Sequence, residues 1–183
     1  MKPKISDFGM ARIFAKDRPE ANTSRIVGTY GYIPPKYAMG GLYSTKSNVY
    51  SFGVLLLQII SGKRTAFFYR INEDLNLLEY AYELWKEGKG MEFMDPSLED
   101  TLSPCKLIKC MQIALLCVQE NAKDRPSMLE VSSMLKNENV EMAIPKWPAF
   151  ASRNEYHDRG PKATSRPYTS SVNDATISEV VAR

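Results

Sequence analysis

Apolar residues crowd one stretch of this chain. From Val49 to Ile60 they occupy nearly every side of a helical wheel, with Ser44 as N-cap and Gly62 as the stop. A helix apolar all round belongs in the middle of a core. Three weaker helical patterns follow. Asn76 caps a helix over about 77–86, with Leu78, Ala81, Tyr82 and Trp85 on one face. Ser103-Pro104 opens a third, a cap followed by proline in the first turn, running to about Glu120 with Leu107, Ile108, Met111, Leu115 and Val118 inward. Ser127 and Glu130 have the spacing of a capping box, and Val131, Met134 and Leu135 follow at helical intervals.

The flanks read differently. Residues 1–43 hold many turn formers, including GTYGYIPP at 28–35, and predict extended segments with a short helix near 36–39. After Asn137, proline, serine, threonine and scattered charge dominate. Such a segment buries too little surface to offset its ordering entropy, so 137–183 is expected to be mostly disordered, with PKWPAF at 145–150 docking through Trp147 and Phe150.

Composition narrows the classes. The 183 residues are 44% apolar and 25% charged with a net charge of +3, an ordinary globular balance, and no basic stripe suggests nucleic acid. The longest apolar run, VLLLQII at 54–60, is too short for a membrane span, and no apolar stretch follows Lys2 and Lys4 to make a signal peptide. Cys105, Cys110 and Cys117 lack a metal-binding spacing and read as small buried residues of one helix in a reducing compartment.

Four motifs then occur in one order: Asp7-Phe8-Gly9, Gly28-Thr29-Tyr30-Gly31-Tyr32-Ile33-Pro34-Pro35-Lys36-Tyr37, Ser47-Asn48-Val49-Tyr50-Ser51-Phe52-Gly53-Val54, and Asp124-Arg125-Pro126-Ser127-Met128 after Cys117-Val118-Gln119. Together they resemble a protein kinase from its metal-binding turn to the end of its large lobe. The phrasing of NTSRIVGTYGYIPPKYAMGG, LLLQIISGKR, LLCVQENAKDRPSM and SVNDATISEVVAR is similar to plant receptor-like serine/threonine kinases of the S-locus lectin and cysteine-rich types.

The resemblance implies a mainly α fold, a partial large lobe with an extended activation segment. It divides the chain into the segment 1–43, the helical part 44–136 and the tail 137–183. It implies Asp7 as a ligand of the magnesium that bridges ATP phosphates, and Thr23, Ser24 and Thr29 as regulatory phosphorylation sites. A glycine-rich loop, its partner lysine and an HRD catalytic loop have no counterpart in these residues. Gly88-Lys89-Gly90 reads as a turn, and His157-Asp158-Arg159 has the catalytic letters in the wrong order. The expectation is a kinase chain truncated upstream of Asp7, with Met1 as an internal methionine of a longer frame or a first available start. It is cytoplasmic, binds no Mg-ATP and is inactive alone. Two alternatives are a fragment of an active membrane receptor kinase and a protein-interaction module using an exposed face of the central helix.

Three positions depart from the family's pattern. Lys36 stands where the family has a glutamate paired with the arginine matching Arg125. Either the cation turns to solvent or the turn repacks, because a broken buried pair costs on the order of 3–5 kcal/mol. Asn48 replaces an aspartate that anchors the catalytic loop, keeping an acceptor without its charge. Gln58 replaces a glutamate at a position expected to be exposed and of little effect.

Overall fold

The computed structural model describes residues 4–6, 8–9, 11, 20–29, 31–64, 76–98, 103–137 and 140–149. Asp7, Phe150 and everything from 151 onward lie outside the described residues. The described part is mainly helical with one two-stranded sheet.

Strand β1 (Glu20–Asn22) runs antiparallel to β2 (Leu42–Ser44), pairing Glu20 with Ser44 and Asn22 with Leu42. Between them lies the short helix α1 (Pro35–Gly40), with proline in its first turn and Gly41 at its end with φ +64°. A Cβ at Gly41 would run into the Thr23 carbonyl oxygen, so only glycine fits this return of the chain.

The long helix is α2 (Thr45–Ser61). Its capping box is built from two serines: Ser44 Oγ accepts the Lys46 N–H at 3.2 Å, and Ser47 Oγ accepts the Ser44 N–H at 3.1 Å. Gly62, with φ +66°, ends it as expected. Helix α3 (Leu77–Lys86) is capped by Asn76, whose Oδ1 accepts the Leu78 and Glu79 N–H groups at 3.0 and 2.9 Å. Helix α4 (Pro104–Cys117) carries proline in its first turn. Helix α5 (Met128–Lys136) has the Ser127–Glu130 box with both bonds formed.

The core forms where α2 crosses α4. Gly53 is buried at the crossing; a Cβ there would lie 2.6 Å from Cys117 Cβ and 2.8 Å from Val118 Cγ1, so the missing side chain sets how near the helices come. Tyr50, Val54 and Leu57 of α2 pack with Leu77 and Ala81 of α3 and with Met111 and Leu115 of α4. On the other side Val49, Ile113 and Cys117 meet Val131 and Met134 of α5.

The structure shifts several expected details. Helix α2 is not covered on all sides: Leu55 and Ile59 are 44% and 58% exposed, one turn apart. On α3 the buried residues are Leu77, Leu78, Glu79, Ala81 and Leu84, while Tyr82 and Trp85 are half-buried, because helical phase is settled by what the helix meets. Helix α4 stops at Cys117, and Ser103 makes no capping bond. Leu135 faces solvent. Residues 140–149, beyond the last helix, lie against the body: Ala149 donates its N–H to the Val118 carbonyl at 2.9 Å, and Trp147 meets Tyr82 edge-on at 5.0 Å.

Candidate functional site

A cleft of about 900 Å³ opens between the N-terminal turns of α2 and the segment from Thr23 to Tyr37. Helix α2 contributes Ser44, Ser47, Asn48 and Ser51, and the segment contributes hydroxyls and aromatic rings. Two positive-φ glycines, Gly28 at +147° and Gly31 at +90°, let the segment turn back toward the helix.

Side-chain hydrogen bonds hold the segment in place. Ser51 Oγ donates to the Tyr32 carbonyl at 2.7 Å, and Tyr32 OH donates to Gln58 Oε1 at 2.6 Å. Gln58 is therefore half-buried and bonded, contrary to the exposed and inconsequential position expected from helical spacing. Tyr37 OH grips Val27 twice, accepting its N–H at 3.0 Å and donating to its carbonyl at 3.1 Å. At the other end the Thr23 N–H donates to the Gly41 carbonyl at 3.0 Å. Between these ties Ser24, Arg25, Gly28 and Thr29 are exposed.

The sequence-predicted residues are distributed unevenly. Thr23 and Thr29 line the cleft together with Asn48, while Ser24 is exposed outside its lining. Asp7 lies outside the described residues, although its near neighbours Gly9 and Ala11 line the cleft. The described lining contains hydroxyls, one amide and Arg25 but no carboxylate, and no trio of His, Cys, Asp and Glu among the described residues could hold a metal. Magnesium is held by carboxylate oxygen, and the carboxylate that the resemblance implies for it, Asp7, lies outside the described residues.

Lys36 and Arg125 are not a pair. Lys36 is exposed, as its charge requires. Arg125 is only 4% exposed, and its guanidinium is seated on backbone oxygens instead. Nε donates to the Gln119 carbonyl at 2.7 Å, Nη2 to that of Glu120 at 3.1 Å, and Nη1 to that of Lys46 at 3.3 Å. The charge also lies 5.0 Å from the Tyr50 ring centre. Burial pulls its pKa below the ordinary value, opposed by Tyr50 and Cys117. Lys46 returns the contact, its Nζ donating to the Arg125 carbonyl. Sequence reasoning passed over Lys46 and met Gln119 only as a motif letter without a role, because bonds to main-chain oxygen leave no mark on a partner's identity.

The three cysteines differ more than their shared helix suggested. Cys105 is exposed, Cys110 half-buried and Cys117 buried. Desolvation pushes the Cys117 thiol up to about 12, with Arg125 and Lys46 pulling the other way.

Comparison with known proteins adds the lineage. The family described as protein kinase domain matches residues 1–136. Over its whole length the chain is 50% identical to the receptor-like serine/threonine-protein kinase SD1-7 of Arabidopsis thaliana, covering 22% of that protein. It is 48% identical to the G-type lectin S-receptor-like serine/threonine-protein kinase SRK of the same plant, again covering 22%, and 47% identical to its cysteine-rich receptor-like protein kinase 19, covering 28%. The chain thus spans about a quarter of the length of these relatives.

Proposed function

Because the chain belongs to the protein kinase family, in its plant receptor-like serine/threonine branch, we propose that these residues supply the activation segment and helical large lobe of such a kinase. We further propose that alone they transfer no phosphate. The observation that carries this reading is the cleft. Its mouth presents hydroxyls on a segment tied down at both ends, whereas its described lining offers nothing that would hold magnesium or accept a hydroxyl proton. Kinases of this family use Mg-ATP. Asp7 would contribute one carboxylate to the metal, while the glycine-rich loop and lysine that grip the nucleotide phosphates in the family have no counterpart in these residues.

The role left to this chain is that of a phosphorylatable regulatory element. A phosphate on Thr23, Ser24 or Thr29 would add about −1.5 to −2 charge at neutral pH. Arg25, the cation of the described cleft lining, would pair with it. Purified chain with magnesium, labelled ATP and a generic protein substrate is expected to give no transfer above a buffer control. Transfer above that control refutes the first half of the reading. An active kinase of the same branch is expected to label Thr23, Ser24 or Thr29, and labelling confined to other residues refutes the second. Transcript sequence upstream of Met1 that encodes the glycine-rich and catalytic loops in frame would place these residues in an active membrane receptor.

Exposed Leu55 and Ile59 favour a second reading, an interaction face on α2. Sedimentation of the chain and of its Leu55→Glu, Ile59→Glu variant tests it. Association that the double substitution leaves unchanged sinks it.

A further inference from the structure

The last described residues and the cleft are joined by an unbroken run of hydrogen bonds. It starts in the strap of residues 140–149, where the Lys146 N–H donates to Gln119 Oε1 at 3.0 Å. The Gln119 side chain is buried, and its amide nitrogen donates to the Asp124 carbonyl at 2.9 Å and to that of Leu116 at 3.2 Å. The Gln119 main-chain carbonyl receives Arg125 Nε. Arg125 and Lys46 then clasp each other reciprocally, side chain to carbonyl in both directions. Lys46 is the second residue of α2, and its N–H closes on Ser44 Oγ. Ser44 and Ser47 line the cleft.

Two properties make this run more than adjacency. Its middle is buried and charged, so loosening one bond to the guanidinium leaves a costly under-satisfied cation rather than a harmless gap. Its outer end is held from the surface. Ala149 is buried and gives its N–H to the Val118 carbonyl, Trp147 meets Tyr82, the Gln112 amide donates to the Ala143 carbonyl, Val140 and Met142 rest on the Val49–Val131 cluster, and the Lys146–Asp124 ion pair at 3.0 Å is solvent-exposed. A surface segment with no helix or strand of its own opens more readily than a core.

We propose that the 140–149 strap is a latch coupled to the cleft: seated, it orders the first turns of α2 through Gln119, Arg125 and Lys46, and released, it loosens them. Whatever engages or displaces the strap thereby changes the wall of the cleft.

Amide hydrogen exchange on the full chain tests the coupling. Trp147→Ala frees the strap without removing a group from the run. The expected result is exchange roughly five- to tenfold faster in residues 44–50, with residues 107–115 of α4 at the native rate. Faster exchange confined to 116–125 and 140–149 overturns the proposal. So does a uniform rise that includes 107–115, which would be plain destabilisation. Coupling is reciprocal in sign, so Lys46→Met is expected to speed exchange in 140–149 as well; a native rate there also overturns it. Lys146→Ala keeps its backbone N–H and drops only the exposed ion pair, so 44–50 is expected to exchange as in the native chain. An effect on 44–50 as large as that of Trp147→Ala would remove Gln119 as the link.

Discussion

The α2–α4 crossing and the segment from Thr23 to Tyr37 sit on either side of one helix, and different forces hold them. At the crossing Tyr50, Val54, Leu57, Met111 and Leu115 are all but removed from water, and Gly53 brings the backbones together. In the segment nearly everything from Ser24 to Thr29 is exposed, and its position rests on Tyr37, Tyr32 and Ser51 hydroxyls. Burial is non-directional and cooperative, whereas a hydrogen bond exposed to water contributes about 1 kcal/mol net. The crossing therefore carries the stability of the chain, and the segment is the part that opens more readily.

The comparison breaks most visibly at Leu57. Leu57→Ala is expected to lower unfolding free energy by about 2–5 kcal/mol in denaturant melts, since the side chain is fully buried and leaves a cavity. A loss below 1 kcal/mol would mean that the crossing is not the core.

Alkaline pH should find the same region. The Cys117 thiol, raised to about 12 from 9.0, stays protonated when folded while the unfolded thiol ionises. The unfolded state then binds fewer protons, so stability is full below about pH 9 and falls as pH rises from there toward 12. Cys117→Ala should flatten that part of the pH profile of the melting temperature. Cys105, exposed at the start of α4, should react with a thiol reagent in the native chain while Cys117 does not.

The segment should respond locally. Tyr37→Phe removes both bonds to Val27 and is expected to speed exchange at the Val27 amide by the equivalent of about 1 kcal/mol, with the global melt unchanged. A drop in the global melt as large as that of Leu57→Ala would erase the distinction between the two regions. The smallest effect is expected at Lys36. Lys36→Glu would restore the family's carboxylate, yet Arg125 already has three carbonyl partners, so the gain should be about 0–1 kcal/mol. A gain of several kcal/mol would show that the carbonyl seat is a poor substitute.

Legibility followed the range of each interaction. Ser44, Gly62, Asn76 and the Ser127–Glu130 box act within one helical turn, so their residue types announced the helix ends. Ser103 had the right type and makes no cap, and Pro104, with no N–H, leaves the first turn one donor fewer to satisfy. On α3 the expected Leu78, Ala81, Tyr82 and Trp85 all meet the core, the last two half-buried, while Leu77 and Leu84, which fit the helical period as well, are buried deeper. Only the neighbours choose between two phases.

In the cleft, the motif around Gly28–Tyr37 marked a segment that lines it, and the structure supplied what ties that segment: Tyr37 across ten residues and Gln58 across twenty-six. The resemblance implied a conflict of charge between Lys36 and Arg125, and solvent at one and carbonyls at the other resolve it.

By itself the amino-acid order determined the lineage, the helices and their caps, because those depend on residue type and on contacts a few positions apart. Tertiary structure alone decided that α2 leaves Leu55 and Ile59 in water, that Arg125 rests on main-chain oxygens, and that residues 140–149 reach back to Gln119. Backbone carbonyls are the same at every position, so a bond to one is invisible until the fold brings it within reach.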